Sequence, residues 1–73
     1  MFLAETKEKQ SYKIIKIQEG KQLKLQLTAR GLLPGTILRI IKNDGLGPLI
    51  LAIKATRISI GRGLASKIEV VEL

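Results

Sequence analysis

The sequence predicts a mainly β fold: a small β-barrel of about five short strands with one short α-helix. Segments rich in β-branched residues recur at intervals of roughly 8–12 residues, and glycine and proline turn signals separate them. One stretch near residue 25 has instead the composition of a helix. With 73 residues, a chain buries only about 60% of its unfolded surface, so we expect one domain, residues 1–73, with a single modest core.

The first three predicted strands follow from residue type and turn signals. SYKIIKI, residues 11–17, mixes β-branched and polar residues and precedes a turn signal at Gly20. Residues 36–42 and 49–54 flank the sequence NDGLGP, in which Asn, Asp, Gly and Pro all favour a turn. We therefore expect these two segments to pair as a hairpin, with Leu38 and Ile40 on one face of the first strand.

The stretch KQLKLQLTAR, residues 21–30, is ambiguous between strand and helix. Its three leucines alternate as in a half-buried strand, yet the first and third are four residues apart, as on one side of a helix. Lys, Gln, Leu, Ala and Arg all favour a helix, Gly31 suits a left-handed C-terminal cap, and Pro34 prevents continuation. We predict a helix over about residues 21–30.

The C-terminal third contains two further predicted strands, RISI at residues 57–60 and IEVVEL at residues 68–73. Between them, GRGLASK is interpreted as a connector in which Gly61 and Gly63 allow positive φ. A phosphate-binding loop is the alternative for this segment, and in either case Arg62 could be displayed outward to an acidic partner. The glycine spacing does not fit the Walker pattern, which favours the connector.

Composition excludes most catalytic chemistry. The chain has no Cys and no His, so disulfides, thiol nucleophiles, imidazole proton shuttles and tight transition-metal sites are not expected. Asn43 and Asp44 could hold only a hard, weakly bound ion, and an Asx turn explains them better. We therefore predict no enzyme, no catalytic residue, no cofactor and no tight metal site.

The chain carries 13 Lys+Arg against 6 Asp+Glu, a formal net charge of +7. Such a balance indicates an acidic partner, a nucleic acid or an anionic membrane surface, or simply a solvated basic exterior. The two aromatic residues, Phe2 and Tyr12, are too few for base stacking along a single strand. Neither a signal peptide nor a membrane-spanning run is evident, so a cytoplasmic location is expected.

The order of several motifs is informative in itself. Three motifs follow one another along the chain. The first is the run from Leu27 to Thr36, which contains ARGLLPGT, and the second is GPLIL at residues 47–51. The third is RISIGR, which is followed by Ala65, Ile68 and Val70. Together they resemble the FeoA family, the small partner of the ferrous-iron transporter FeoB. The resemblance extends over essentially the whole chain, including FLAET, which is similar to the family's opening strand and turn.

This resemblance implies an SH3-like barrel with the helix inserted after the first strand. It also implies a cytosolic accessory protein that binds the GTPase-bearing, cytoplasmic part of FeoB and modulates ferrous-iron uptake. A related domain occurs in iron-dependent repressors, so a basic nucleic-acid-binding or repressor-accessory domain is the alternative. Because the predicted barrel begins at Met1, we expect the free-standing version, with weak self-association through strand edges as a further expectation.

SH3-like barrels bind partners through loops and an exposed apolar groove. The candidate partner-binding residues are five apolar groove residues and two charged rim residues: Leu32, Leu33, Pro34, Leu46 and Leu49, with Arg30 and Arg62. Arg30 stands where the family usually has leucine, so it must either turn to solvent or make a contact peculiar to this chain. For each of these leucines the alternative is burial in the core, and Leu32 is the candidate for a core anchor.

Overall fold

The computed structural model describes residues 1–18 and 20–73, within which five strands form one antiparallel sheet. The sheet elements and helices follow in the order β1 Ser11–Ile17, α1 Lys21–Ala29, β2 Ile37–Lys42, β3 Leu49–Ile53, β4 Thr56–Ile60, α2 Arg62–Ala65 and β5 Ile68–Glu72. The prediction of a mainly β, SH3-like small domain with about five strands is confirmed. The expected hairpin is confirmed too, because β2 and β3 pair with Arg39 opposite Ala52.

The strand order is β4-β3-β2-β1-β5, and the sheet is not closed by hydrogen bonds. It is therefore a curled sheet with two edge strands, β4 and β5. Register shifts lie between Ile14 and Lys16 on β1 and between Ile40 and Lys42 on β2. Such bulges increase the local twist and bend a strand, which lets five short strands wrap around one core.

Alternation along the strands decides which side chains form the core. On β2, Leu38 and Ile40 are buried while Ile37 and Arg39 are exposed, as predicted. Among the described residues, the core brings together fifteen buried apolar side chains from all strands, both helices and the connecting turns: Leu3, Tyr12, Ile14, Ile17, Leu27, Leu32, Leu38, Ile40, Leu49, Leu51, Ile58, Ile60, Ala65, Ile68 and Val70. The hydroxyl of the buried Tyr12 accepts a hydrogen bond from the Lys7 N–H at 3.0 Å.

The helix predicted at residues 21–30 is present as α1, and its end explains the turn that follows. Gly31 adopts φ +84, and its N–H donates to Thr28 O at 2.9 Å. The Leu32 N–H then donates to Leu27 O at 2.8 Å, which is the bonding pattern of a Schellman cap. Because both Leu27 and Leu32 are buried, this cap also holds their side chains together in the core.

Replacing Gly31 by alanine should destabilise the fold by about 1–2 kcal/mol, because an L side chain is strained at positive φ. No atom lies within 4 Å of a Cβ built at this position, so the cost comes from backbone conformation alone. Gly63→Ala is the matched control: Gly63 lies inside α2 without positive φ, and alanine there should be neutral or stabilising. Urea denaturation of both variants measures the difference, and equal midpoints would contradict this account of the cap.

Two sequence-based expectations need correction. GRGLASK contains the four-residue helix α2, with Gly61 as its N-cap at φ −65, so the expected positive φ at Gly61 and Gly63 is wrong. The fully buried Ala65 anchors this helix on the core. In the opening FLAET segment, a 3-10 turn at Leu3–Glu5 and a single bridge between Phe2 and Glu69 stand in place of the expected strand.

Candidate partner-binding groove

An open groove of about 910 Å³ lies where the loop after α1 meets the start of β2 and the β3–β4 hairpin. It is lined by residues from two separate segments of the chain, 30–37 and 53–58: Arg30, Gly31, Leu33, Pro34, Gly35, Thr36, Ile37, Ile53, Lys54, Thr56 and Ile58. The groove is therefore assembled by the tertiary fold. Of the predicted partner-binding residues, it brings together Arg30, Leu33 and Pro34.

The floor of the groove is apolar and partly open to solvent. Leu33 is 41% exposed and Ile37 is 55% exposed, and Pro34 beside them is also exposed. Ile53 contributes from the hairpin as a half-buried residue packed against the core. Apolar side chains held at the surface in this way are typical of a site that another molecule covers.

Backbone hydrogen bonds hold the loop that presents Leu33 and Pro34. The Gly35 N–H donates to Ile14 O at 2.7 Å, and the Ile14 N–H donates to Thr36 O at 2.9 Å. The Thr36 hydroxyl donates to Gly31 O at 3.1 Å and accepts from the Leu33 N–H at 3.4 Å. The loop is thereby fixed to β1 and to the end of α1, so the apolar floor is pre-organised for binding.

Arg30 leaves the core and makes a specific contact. Its side chain is exposed, and Nη2 donates to the backbone oxygen of Ser59 at 2.9 Å. This hydrogen bond ties the end of α1 to the edge strand β4 and places the guanidinium on the groove rim. Lys54 is the second cation among the lining residues that the structure describes, and none of these is Asp or Glu. The rim therefore carries positive charge around an apolar floor.

A smaller depression of about 220 Å³ lies between α1 and the end of β1. It shares Pro34 with the groove and is lined further by Ile15, which is 43% exposed, and by Lys16 and Lys24. The apolar surface thus continues past Pro34, and its border gains two more cations.

Two predicted groove leucines belong to the core instead. Leu32 and Leu49 are both 0% exposed, so neither side chain can contact a partner in the folded protein. Their assignment to the groove is corrected by this burial, while the interpretation of Leu32 as a core anchor agrees with it. The strand alternation of β3 buries Leu49, and the helix cap directs Leu32 inwards.

Leu46 is 89% exposed, but it lies in the loop after β2, at the far end of that strand from the groove. Since β2 has six residues and a strand rises about 3.3 Å per residue, roughly 20 Å separates the two regions. Leu46 and Leu33 therefore do not share one groove.

Arg62 is a structural residue of that far end and not a charged rim of the groove. Its guanidinium Nη1 donates to Gly47 O at 3.0 Å, and Nη2 donates to Ala4 O at 3.0 Å and to Asn43 Oδ1 at 2.9 Å. These bonds connect α2, the β2–β3 loop and the N-terminal turn. The predicted display of Arg62 towards a partner is corrected accordingly.

The β2–β3 loop is an Asx-type turn, as the NDG sequence predicts. Asp44 Oδ1 accepts hydrogen bonds from the N–H groups of Leu46 at 3.0 Å and Gly47 at 3.1 Å. These two bonds are the main reason that the pKa of the Asp44 carboxyl lies below its ordinary value of 3.8; desolvation opposes them, and the charge of Lys42 makes a lesser contribution in their favour.

The lowered pKa of Asp44 predicts how this turn responds to acid. A depressed pKa in the folded state means that the carboxylate contributes stability above pH 3.8, and that this contribution is lost as the pH falls through the folded-state value. An NMR titration of the Asp44 carboxyl carbon should give a midpoint below 3.8, and a midpoint at or above that value would contradict the hydrogen-bonded turn.

Sequence reasoning missed Ile37, Ile53 and Lys54 as groove residues. Ile37 could have been found, because the alternation that buries Leu38 places Ile37 on the solvent side directly after the GLLPGT turn. Ile53 and Lys54 reach the groove only through pairing of distant strands. Among residues 1–18 and 20–73, no group of three or more His, Cys, Asp or Glu is placed to hold a metal ion. Nor does this part of the chain contain a helix with the length and apolarity needed to cross a bilayer.

Comparison with known proteins places this architecture in a family. The model of the FeoA domain matches residues 1–72. A Methanocaldococcus jannaschii protein whose assigned name describes an Fe(2+) transport protein A is 40% identical over 68 residues, 93% of this chain and 82% of that protein.

Two solved structures share the fold. A crystal structure of an iron uptake regulatory protein, FeoA, superposes with a TM-score of 0.93 at 27% identity, covering 100% of this chain and 97% of that one. Stenotrophomonas maltophilia FeoA, solved with zinc and described as an SH3 domain protein, gives a TM-score of 0.83 at 21% identity, with 97% and 89% covered. The family match over nearly every residue and the 40% identical relative show that this chain belongs to the FeoA family.

Proposed function

We propose that this chain is a small cytoplasmic accessory protein of ferrous-iron uptake, which binds the GTPase-bearing cytoplasmic part of a FeoB-type transporter and modulates it. Membership of the FeoA family supports the connection with ferrous iron, as does the name of the Methanocaldococcus jannaschii relative. A binding role, and not catalysis, suits a chain with no His and no Cys.

The observation that carries this proposal is the pre-organised groove. Leu33 and Pro34, on a loop that is fixed by hydrogen bonds to β1, form an exposed apolar floor with Ile37 at the start of β2. Central apolar anchors that become desolvated on binding supply most of the affinity of a protein interface. The groove therefore provides both a site for an apolar partner side chain and a backbone that needs little ordering on association.

The charges around the groove indicate the complementary surface on the partner. Arg30 and Lys54 line the groove, Lys16 and Lys24 line the adjoining depression, and among residues 1–18 and 20–73 neither lining includes an acidic residue. We therefore expect the transporter domain to present an apolar side chain surrounded by Asp or Glu. Such complementarity accelerates association and excludes basic partners more than it adds affinity.

Titration calorimetry with the isolated cytoplasmic domain of the cognate transporter tests this function. We expect a saturable complex with a dissociation constant in the micromolar range or tighter, in the presence of GDP or of a non-hydrolysable GTP analogue. The affinity should weaken with added salt because the groove rim is charged. No heat of binding at tens of micromolar protein, with either nucleotide, would contradict the proposal.

A further inference from the structure

A second surface of the molecule is basic and shares only Ile37 with the groove just described. The solvent side of the sheet carries Lys13 on β1, Arg39 on β2 and Arg57 on β4, all exposed. Strand alternation turns these side chains away from the core, since Tyr12, Leu38 and Ile58 beside them are buried. We call this surface the basic sheet face: Lys13, Ile37, Arg39, Ala52, Arg57 and Val71.

Strand register brings the three cations close together. Arg39 pairs with Ala52 on one side, and Ala52 pairs with Arg57 on the next strand. Arg39 and Arg57 are therefore two strands apart, a separation of about 10 Å at the usual strand spacing. Lys13 pairs with Ile37, two residues before Arg39 on the same strand, so all three side chains can reach a single patch of anions.

None of these three cations makes a side-chain hydrogen bond or ion pair with another residue of 1–18 and 20–73. Asp44 lies in the loop beyond the end of β2, beside Lys42 at 4.0 Å. Glu69 lies opposite Lys16, in the row beyond Lys13 and Val71. The basic sheet face therefore carries three positive charges without an acidic residue inside it.

Exposed apolar side chains stand beside these charges. Val71 and Ile37 flank Lys13 on the neighbouring strands, and they are 41% and 55% exposed. Cations interleaved with short apolar side chains are suited to a lipid headgroup layer, where lysine and arginine meet phosphate and the apolar groups enter the acyl boundary. A single-stranded nucleic acid would need aromatic platforms, and the only tyrosine, Tyr12, is 1% exposed.

We propose that the basic sheet face binds the surface of a membrane that contains anionic phospholipids. Ile37 belongs both to this face and to the groove, so the two surfaces adjoin at the start of β2. A molecule held at the groove by a membrane-embedded partner could therefore lay its sheet on the leaflet beside it. The lipid contact itself needs no transporter, so its test is independent of the proposed function.

Co-sedimentation of the full chain with phosphatidylcholine vesicles, with and without phosphatidylglycerol, tests this proposal. We expect binding only to the anionic vesicles, and loss of binding as salt is raised. The variant Arg39→Gln/Arg57→Gln should lower the partition coefficient about 25-fold, since each cation near the surface contributes about fivefold. The matched control Lys7→Gln/Lys21→Gln removes the same charge from outside this face and should lower it less than about threefold.

Denaturation of both variants should show unchanged stability, because all four side chains are exposed. Equal losses of binding in the two variants would overturn the proposal in favour of diffuse attraction by net charge. Equal binding to vesicles with and without phosphatidylglycerol would overturn it as well. Binding to duplex DNA is measured at the same concentrations of salt and of phosphate groups as binding to the anionic vesicles. If the chain binds the DNA more tightly and the Arg39→Gln/Arg57→Gln variant loses that binding, the face is assigned to nucleic acid instead.

Discussion

Replacing Leu32 by alanine should destabilise the fold by about 2–5 kcal/mol, the range for deleting a fully buried leucine side chain. Leu32 is 0% exposed and follows the cap of α1 directly, with its N–H bonded to Leu27 O. A cavity here would remove packing from the core that α1 shares with the sheet. For a domain of this size, whose total stability is about 4–11 kcal/mol, such a loss is a large fraction of the whole.

Leu33→Ala is the matched control for this prediction, since it deletes the same atoms from the neighbouring residue. Leu33 is 41% exposed, so its truncation should cost less than about 1 kcal/mol. Urea denaturation of the two variants measures the contrast. Similar losses in the free energy of unfolding for both variants would contradict the placement of Leu32 in the core and of Leu33 at the surface.

The second large effect is expected at Arg62. Methionine keeps much of the aliphatic length and suits a helix, but it removes every donor that joins α2 to Gly47 O, Ala4 O and Asn43 Oδ1. Hydrogen bonds from a charged donor contribute about 1.5–3 kcal/mol each when buried. Because these are only partly buried, we expect Arg62→Met to cost about 2–3 kcal/mol in total.

Arg57→Met provides the control for charge and size, since Arg57 is exposed and makes no side-chain hydrogen bond to the described part of the chain. Its cost should stay within about 0.5 kcal/mol. Thermal denaturation of both variants distinguishes the two arginines. If Arg62→Met destabilises the protein no more than Arg57→Met does, the structural role assigned to the three hydrogen bonds of Arg62 is contradicted.

The fold was largely predictable from sequence because its signals are local. Alternation identified the strands, and the NDG turn identified the β2–β3 hairpin. Helix composition with Gly31 and Pro34 at its end favoured a helix for the leucine-rich segment, and the resemblance to the FeoA family settled the choice between helix and strand. The α2 helix was missed because two glycines in GRGLASK favour a turn by composition, whereas burial of Ala65 holds the segment as a helix. Tertiary packing overrode local preference at that point.

The groove could be predicted only in part, since its lining comes from distant segments. Arg30, Leu33 and Pro34 were identified from one loop, but a turn has no period that tells an inward leucine from an outward one. The sequence pattern alone therefore could not decide which of Leu32 and Leu33 is buried in the core and which is exposed in the groove. The partners of Arg62 lie 15, 19 and 58 residues away in the chain, so its structural role depends on the tertiary fold.

Docking of the groove on a transporter domain is tested most directly by a comparison of two leucine variants. Leu33→Ser and Leu46→Ser make the same chemical change at two exposed residues, one in the groove and one at the far end of β2. Calorimetric affinities for the cytoplasmic domain should fall at least about tenfold for Leu33→Ser, the effect of losing a central apolar anchor. They should be unchanged for Leu46→Ser. Equal affinities of the wild type and Leu33→Ser, or a loss confined to Leu46→Ser, would contradict docking through this groove.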